Sequence, residues 1–524
     1  MKPTRTATLD EKTIDAIFAS VDQSQLPGAA VAVAIDGVPV YRKGFGLASM
    51  ELPVQLAPSM RMRIGSTTKH FAALAFLLLC EEGKAGFDDT IGTYLPDIHP
   101  ASRGATMRQL MSHTSGIRDA MALAMTLDGP AHHSTDRDML AYYAAIEDVD
   151  FAPETSWSYN NGGYVLLTAA IERVTSQPLE AVLRERIFEP VGMADTLLRR
   201  TDRNFVPNSA TLHFRTPDGH FTRDYMGAEI SGAGGVVSTM DDMLRWLAHM
   251  DAPHVGSAET WQAMRTPVTL ANGTRTAYGF GLVNEAYRGV DTISHGGGVV
   301  AGNSQMIKVP AAGLDISIAV NRADVSAAQF ACAIIDACVE GLDPLPDGVA
   351  PEPVSGLFLS RDTGQVLELA GHDGMQLMGL DAAPMLPLRA TGTKAQALPA
   401  IMAFILQTFE IAPDEVLLND FGNAIAFAPA SPEPDAVLGP LAGTYRAALG
   451  ATLEFGERDG EPRMIAHGLS GSVAYRLMPL TGTIWKANID GPFAMFGAIV
   501  TFQPDARGLS LTVGRMKNLH FARA

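Results

Sequence analysis

A possible nucleophile and a possible base stand three positions apart, Ser66 and Lys69, in the segment GSTTKHFAALAFLLLC. The apolar run begins just after Ser66, so the spacing predicts that both side chains share one face of a first helical turn. A serine hydroxyl is a weak nucleophile until a neighbouring base accepts its proton. A lysine can be that base only if desolvation or nearby positive charge lowers its pKa, and an apolar helix entering a core provides the desolvation.

Two later segments carry polar groups that could complete such a site. Tyr159-Asn160-Asn161 lies in SWSYNNGGYVLL, a turn-like segment before a predicted helix. His295-Gly296-Gly297 follows the strand-like VDTIS, and Gly298 comes next. A glycine backbone N–H can approach a substrate oxygen without obstruction by a side chain. Because an S-x-x-K pair also arises by chance in a chain of this length, these additional segments give the pair its weight.

The order S-x-x-K, Y-x-N and then a glycine-containing strand motif resembles the serine hydrolases of the class C β-lactamase and D-alanyl-D-alanine carboxypeptidase type. Further segments match the same pattern, and the resemblance covers about residues 10 to 340. They are PGAAVAV, LMSHTSGIRD, GAGGVVSTMDDM and YGFGL.

The resemblance implies three catalytic groups. Ser66 would attack the substrate carbonyl, and Lys69 and Tyr159 would share the proton transfers. An acyl-enzyme on Ser66 would then be hydrolysed. The chemistry implied by the resemblance needs no metal and no organic cofactor. The adjacent residues His132 and His133 could suggest a metal site. Their side chains diverge and their segment is loop-like, which favours a surface loop.

The resemblance also implies a substrate-binding set. Asn161 would hold the substrate amide, and His295 would line the site as a further catalytic residue. Gly297 and Gly298 would contact the substrate, with the backbone N–H groups of Ser66 and Gly298 forming the oxyanion hole.

The third motif departs from the family pattern, because H-x-G stands where K-T-G is usual. A histidine is mostly neutral at pH 7, so the fixed cation suited to a carboxylate is lost. H-x-G followed by two C-terminal barrels is similar to the D-aminopeptidase branch, which releases D-residues from peptide N-termini. That likeness suggests a loop from the last barrel that reaches the site; the candidate is NIDGPFAMFG, 488–497, with Asp490 as partner for the substrate ammonium and Phe493 as a wall. An ordinary Asp490-Gly491 hairpin turn is the alternative.

We therefore expect an aminopeptidase acting on N-terminal D-residues of small peptides, amides or esters. An esterase, a β-lactamase and a D-Ala-D-Ala carboxypeptidase on the same scaffold stay open. So does a non-catalytic receptor for D-amino acids or β-lactams, although a pure binder has no need of Lys69 beside Ser66. The oligomeric state is open too, and a homo-oligomer is compatible with these features.

Local sequence patterns divide the chain into three predicted domains. Residues 1–340 mix strand signals, such as the hairpin around Asp36-Gly37, with helical periodicity at 67–82 and 163–178. The resemblance implies that this α/β domain has the β-lactamase/penicillin-binding fold, an antiparallel sheet flanked by helices. Pro-rich stretches at 341–356 and 428–440 read as linkers.

The two C-terminal pieces, 351–430 and 437–524, carry short alternating segments, with helical periodicity only near 398–408. They look like diverged copies of one unit: Gly356-Leu357-Phe358 and Leu367-Glu368-Leu369 have counterparts in Gly443-Thr444-Tyr445 and Leu453-Glu454-Phe455. We expect two small antiparallel β-barrels.

Composition and net charge restrict the classes of molecule that this protein could bind and the compartment in which we expect it. The net charge of -18 and the lack of a basic patch argue against nucleic acid and against an anionic membrane surface. The first 18 residues lack the apolar stretch of a signal peptide, so we expect a cytoplasmic protein. Three cysteines in apolar surroundings without C-x-x-C spacing fit buried, reduced thiols.

Overall fold

The computed structural model describes residues 5–216, 218–223, 225–345, 352–391, 395–398, 405–490, 493 and 497–524. Its helices are α1 (Glu11–Ile17), α2 (Lys69–Glu81), α3 (Ile91–Tyr94), α4 (Pro100–Arg103), α5 (Met107–Ser112), α6 (Ala120–Leu127), α7 (Asp136–Ala145), α8 (Asn161–Thr175), α9 (Leu179–Leu183), α10 (Glu189–Val191), α11 (Met240–His249), α12 (Ala258–Arg265) and α13 (Ala327–Cys338). The strands before residue 340 are β1 (Ala29–Ile35), β2 (Val38–Phe45), β3 (Leu47–Ser49), β4 (Val54–Gln55), β5 (Met62–Arg63), β6 (Leu197–Leu198), β7 (Phe214–Arg215), β8 (Phe221–Thr222), β9 (Val236–Ser238), β10 (Val283–Tyr287), β11 (Val290–Val299), β12 (Gly302–Val309) and β13 (Leu314–Val320).

Six strands of the described chain form an antiparallel sheet in the order β10-β11-β12-β13-β1-β2. Side chains along β1 alternate between two cores, because successive residues of a strand point to opposite faces. Ala30 and Ala32 belong to one core, and Val31 and Val33 to the other. Helices α1 and α13 pack in the second core and α11 in the first. The expected antiparallel sheet flanked by helices is confirmed.

The predicted β1–β2 hairpin and the predicted helix at 163–178 are both present, and the helix begins at a different residue. The β1–β2 hairpin turns at Asp36 and Gly37, both with positive φ, 50° and 74°, as a two-residue hairpin of the favoured hand requires. Helix α8 begins two residues before the predicted 163, because the Asn160 side chain accepts a hydrogen bond from the Gly163 N–H and caps it.

The middle region forms one curled antiparallel sheet of strands β14 (Gly356–Leu359), β15 (Val366–His372), β16 (Met375–Leu380), β17 (Leu386–Pro387), β18 (Arg389–Ala390), β19 (Ala395–Ala397), β20 (Gln407–Ile411), β21 (Val416–Asp420) and β22 (Asn423–Ala430). Among the described residues its order runs from β17 to β18. These two end strands are separated only by the buried Leu388, so the chain itself joins the two edges of the sheet at a kink. The result is a partly closed barrel.

The C-terminal region forms a closed barrel, in which eight strands of the described residues pair in sequence order. They are β23 (Gly443–Arg446), β24 (Thr452–Arg458), β25 (Glu461–His467), β26 (Ser472–Pro479), β27 (Ile484–Asn488), β28 (Ala498–Phe502), β29 (Gly508–Val513) and β30 (Met516–Arg523). Two C-terminal antiparallel barrels were expected, and the structure has one closed and one half-closed.

The internal repeat appears in the strand register of both regions. Gly356 pairs with Leu369, and Gly443 pairs with Phe455, so the two first hairpins align the same positions. Both glycines have φ in the positive region, 154° and 141°. Equivalent registers at equivalent positions support descent of the two regions from one unit.

The closed barrel packs directly on the helical side of the first region. The Asp128 carboxylate, just after α6, accepts hydrogen bonds from the backbone N–H groups of Ser470 (2.9 Å) and Gly471 (2.8 Å). The Tyr475 hydroxyl donates to the carbonyl oxygen of Thr126 at 2.8 Å. One continuous apolar core joins the two regions, so the barrel is placed firmly against the domain that carries Ser66.

Two predictions fall partly outside the described residues. The helical periodicity at 398–408 covers 399–404, which lie outside them, and a strand begins at Gln407. The linker at 341–356 covers 346–351, also outside them. The second linker is irregular from 431 to 438. The domain limits 1–340, 351–430 and 437–524 stay predictions.

Candidate active site

Ser66 lies in a short 3₁₀ turn, Gly65–Thr68, that continues directly into α2. Gly65 has φ 52°, and a β-carbon there would come within 2.9 Å of the backbone nitrogen of Gly298. Only glycine therefore allows the turn to approach β11 this closely. The consequence is that the backbone of Ser66 and the backbone of Gly298 are neighbours, as an oxyanion hole built from both would require.

Two side-chain hydrogen bonds hold this turn against the sheet. Ser304 Oγ donates to the carbonyl oxygen of Ile64 at 2.8 Å, and Thr67 Oγ1 donates to the carbonyl oxygen of His295 at 3.1 Å. A β-carbon at Gly297 would collide with the Ile64 carbonyl oxygen, whereas one at Gly298 would meet nothing within 4 Å. Gly297 thus serves the close packing of turn and strand, and Gly298 faces open space.

This difference predicts opposite results for two neighbouring substitutions. Gly297→Ala should destabilise the protein by roughly 1–3 kcal/mol, since the turn must move away from β11, and the misplaced Ser66 should lose activity. Gly298→Ala is the matched control and should change the melting temperature little, because its β-carbon enters open space. Thermal unfolding of both variants measures this. Equal melting temperatures would show that the turn is not held by close packing at residue 297.

Lys69 is fully buried, and its partners in the described residues are all uncharged. Its Nζ lies 3.3 Å from Ser66 Oγ, 2.8 Å from Asn161 Oδ1 and 2.6 Å from the carbonyl oxygen of Ala233. Burial holds the pKa of Lys69 well below its usual value, and the positive charge of Arg515 lowers that pKa further. A buried ammonium without a carboxylate is costly, so the neutral amine, which can accept a proton, is favoured.

The carboxylate of Asp119 fixes the Y-x-N segment. Its two oxygens accept hydrogen bonds from the backbone N–H groups of Met121, Ala122, Asn161 and Gly162, and it therefore caps the starts of both α6 and α8. This double cap sets the direction in which Asn161 leaves the helix. Asn161 then meets Lys69 through Oδ1, which leaves its Nδ2 to donate to a substrate carbonyl.

His113 also contacts the Tyr159-Asn160-Asn161 segment. It ends α5 with φ 63°, and its Nδ1 accepts a hydrogen bond from the Asn160 N–H at 3.1 Å. Its ring lies 4.3 Å from the ring of Tyr159. These contacts give His113 a structural role, because it holds the backbone at Asn160 and packs against the Tyr159 ring.

Tyr159 lies between the side chains of Lys69 and Arg515. The Nζ of Lys69 is 4.6 Å from the centre of its ring, and the guanidinium carbon of Arg515 is also 4.6 Å from it. Burial raises the pKa of Tyr159, while the nearby Ser66 hydroxyl and Arg515 act to lower it. Apart from this approach to Ser66, the Tyr159 hydroxyl has no hydrogen-bond partner among the described residues.

His295 lies in β11, as its strand-like context predicts, and both of its ring nitrogens are engaged. Nδ1 donates to the carbonyl oxygen of Gly296 at 2.6 Å, which leaves Nε2 to accept from the Tyr278 hydroxyl at 2.8 Å. Burial lowers the pKa of His295 to about 3. The third motif therefore contributes a neutral side chain to the site.

The structure does not bring Asp490 into contact with these groups. Its carboxylate lies 3.2 Å from Arg463 and 3.4 Å from Arg476 of the same barrel, and its side chain is 62% exposed. Phe493 is buried in the core shared by barrel and helices. The rest of the predicted loop, 491–492 and 494–496, lies outside the described residues, so a gating role for 488–497 stays a prediction.

Sequence reasoning missed three contributors to the site: Asp119, the carbonyl oxygen of Ala233 and Arg515. The first two stand in segments already matched to the family pattern, LMSHTSGIRD and GAGGVVSTMDDM. Arg515 had only a turn signal, the preceding Gly514 between two alternating runs. Nothing in that signal tells which hairpin of a barrel faces the site.

Two features of the described chain concern other functions. None of its helices has both the length and the apolar character needed to cross a membrane. No group of three or more histidine, cysteine, aspartate or glutamate side chains in those residues is arranged to hold a metal ion.

The chain belongs to the beta-lactamase family, whose model, described as Beta-lactamase, matches residues 13–337. Among curated proteins it is similar to a D-aminopeptidase of Gluconobacter oxydans, at 27% identity over 80% of this chain and 79% of that protein. It is also similar to a D-aminopeptidase of Cereibacter sphaeroides, at 27% identity over 93% of each chain. The resemblance drawn from the motifs is therefore confirmed.

Solved structures support the fold. The octameric penicillin-binding protein homologue from Pyrococcus abyssi superposes with a TM-score of 0.58 at 19% identity, covering 98% of this chain and 100% of that one. The D-amino acid amidase from Ochrobactrum anthropi SV3 superposes with a TM-score of 0.53 at 21% identity, covering 63% of this chain and 98% of that one. The first likeness spans the C-terminal regions as well.

Proposed function

We propose that this protein is a serine hydrolase that works through an acyl-enzyme on Ser66. The observation that carries the proposal is a fully buried lysine, held by uncharged partners, with its Nζ 3.3 Å from Ser66 Oγ. A lysine that is only structural would be expected to reach solvent or a carboxylate. Lys69 does neither within the described residues.

In the acylation step, Ser66 Oγ attacks the substrate carbonyl carbon while its proton passes to the neutral amine of Lys69. The carbonyl oxygen gains negative charge, which the backbone N–H groups of Ser66 and Gly298 stabilise. As the scissile bond breaks, the leaving amine takes a proton through Tyr159, whose hydroxyl lies beside Ser66. Asn161 holds the substrate amide through Nδ2.

In the deacylation step, water attacks the ester carbonyl of the acyl-enzyme and gives up its proton to the same Lys69–Tyr159 pair. Ser66 Oγ leaves and takes back a proton, and the carboxylic acid product is released. The pair thus acts as base in one direction and as acid in the other. No group beyond these side chains and water is required for the balance of atoms.

We propose D-aminopeptidase activity as the particular reaction, on small peptides, amides or esters with a free N-terminal D-residue. The similarity to D-aminopeptidases along most of the chain supports it. The neutral His295 supports it as well, because a substrate ammonium would be repelled by the lysine that is usual in the third motif.

A substrate panel tests this proposal. D-alanine p-nitroanilide should be cleaved at least 100-fold faster than its L-enantiomer and than N-acetyl-D-alanine p-nitroanilide, in kcat/KM; a short ester and a penicillin complete the panel. Preference for the N-acetylated compound or for penicillin would contradict an aminopeptidase while leaving the acyl-enzyme intact.

Asp490→Asn tests the proposed ammonium partner on the same panel. If Asp490 receives the ammonium, this variant loses rate on the free amine and not on the N-acetylated compound. Asp505→Asn, an exposed aspartate paired with Arg507 on the same barrel, is the control. Unchanged selectivity in Asp490→Asn would contradict the role of Asp490 as ammonium partner. Its carboxylate would then serve only the ion pairs with Arg463 and Arg476.

A further inference from the structure

Arg515 reaches from the closed barrel onto the candidate catalytic residues. It stands in the two-residue turn between β29 and β30, after Gly514, which has φ 50°. Its guanidinium carbon lies 4.6 Å from the centre of the Tyr159 ring, and Nη1 lies 3.4 Å from the Tyr159 carbonyl oxygen. A side chain from the third region therefore borders a site otherwise built from the first.

The position of this turn is fixed by the first region. Two residues beyond Arg515, the backbone N–H of Lys517 donates to Asp150 at 3.1 Å, and its carbonyl oxygen accepts from Arg118 at 2.7 Å. Arg118 and Asp150 are themselves an ion pair, with both side chains nearly buried. Because both the N–H and the carbonyl group of Lys517 are hydrogen-bonded to the first region, the turn that carries Arg515 is held in place.

The charge of Arg515 is not neutralised by the described residues. No described carboxylate lies within ion-pair distance of it, although the whole chain carries a net charge of -18. Asp119 and Asp150 line the same small hollow beside Tyr159. Asp150 is paired with Arg118, and the oxygens of Asp119 are used by four backbone N–H groups. Arg515 thus offers an exposed cation at the edge of the site.

The side of the site that Arg515 occupies follows from Tyr159. In the proposed mechanism Tyr159 protonates the leaving amine, so a cation stacked on its ring borders the leaving group. The neutral His295 provides no cation for that group. We propose that Arg515 binds a carboxylate carried by the leaving group of the substrate. This inference rests on the proposed function, and it names the substrate class as short peptides with a free C-terminal carboxylate, which a planar guanidinium can receive through two hydrogen bonds.

A pair of covalent probes tests Arg515 without depending on turnover or on D-amino acids. Two aryl methylphosphonates differ only in the leaving group, 3-carboxyphenol or phenol, and each forms a bond from Ser66 Oγ to phosphorus as the phenol departs. Their rates of adduct formation, followed by intact mass and divided by their rates of spontaneous hydrolysis, give a carboxylate preference. We expect a preference of roughly 10- to 100-fold in the unmodified protein.

At a pH above the acid limb of the reaction, Arg515→Gln should remove that preference by slowing the carboxylated probe alone, and Arg515→Lys should restore part of it. Arg507→Gln, an exposed arginine elsewhere on the same barrel, should leave it unchanged. If Arg515→Gln slows both probes equally at that pH, or if the unmodified protein shows no preference, the carboxylate-binding role is wrong. Because the probes carry no amino acid, this result stands apart from the outcome of the D-alanine panel, which tests the proposed function.

The pH dependence gives a second readout. Lys69 must be neutral to accept the Ser66 proton, and the charge of Arg515 helps to lower the pKa of Lys69. Removing the charge of Arg515 should raise the pKa of Lys69. The acid limb of the rate of adduct formation should therefore move to higher pH in Arg515→Gln for both probes. Above that limb, the preference for the carboxylated probe should disappear. A shifted limb with the preference intact would make Arg515 a positioning residue for Lys69 and overturn carboxylate binding.

Discussion

Ser66→Ala should reduce the hydrolysis of D-alanine p-nitroanilide by roughly 10⁴-fold or more, because the members of such a catalytic set act as a unit. The Ser66 hydroxyl lies 3.3 Å from Lys69 Nζ, where the lysine can accept its proton. The change removes one partly exposed oxygen from a turn that Gly65 and Thr67 hold, so the melting temperature should stay close to that of the unmodified protein. Initial rates at substrate saturation, with thermal unfolding as the check on folding, measure both effects.

Ser59→Ala is a suitable control for this variant. Ser59 is exposed and lies a short distance earlier in the chain. Its substitution should leave the rate unchanged. Turnover by Ser66→Ala within about tenfold of the unmodified rate would exclude the acyl-enzyme on this residue.

Lys69→Met should lower the rate roughly 10³-fold, since Ser66 loses the base that accepts its proton. Methionine fills a similar volume and leaves no charge behind, because the partners of Lys69 are uncharged. The protein should therefore fold, and the exchange should cost no more than the hydrogen bonds to Asn161 and Ala233, about 1–3 kcal/mol. The rate of phosphonate adduct formation on Ser66 reports the loss directly.

Lys308→Met makes the informative comparison, because Lys308 is buried to a similar degree and is paired with Asp251 and Asp315. Its removal leaves the buried Asp315 carboxylate without its partner, which should cost about 3–5 kcal/mol of folding stability. Whatever Lys308→Met protein remains folded should keep its activity. If Lys69→Met instead resembles Lys308→Met, with lost stability and retained activity, Lys69 is a structural lysine.

The parts of the site that are local in the chain could be predicted from the sequence. Ser66 and Lys69 are three residues apart at a helix start, and Tyr159 and Asn161 stand at another, so propensity and apolar periodicity place them. The carbonyl of Ala233 meets Lys69 across 164 residues, and Arg515 meets Tyr159 across 356. Contacts of that span depend on how whole regions pack, and no local pattern encodes them.

The barrels show the same division. The repeated hairpins at Gly356 and Gly443 were visible as spacing and proved to share a register. The sequence does not show whether each barrel closes, because closure requires the last strand to pair with the first. In the C-terminal barrel β30 pairs with β23. In the middle sheet the two end strands, β17 and β18, are joined by the chain at Leu388. The sequence places Asp490 beside a turn, and in the structure two arginines from neighbouring strands pair with it.

The most direct test of the central claim is a titration of the protein with a fluorophosphonate, with adduct mass and remaining activity on D-alanine p-nitroanilide followed together. The proposed mechanism predicts one adduct per chain, located by peptide mapping on Ser66, with activity falling in proportion to the labelled fraction and no adduct in Ser66→Ala. Full activity in completely labelled protein, or an adduct on another residue that accounts for the inactivation, would contradict it.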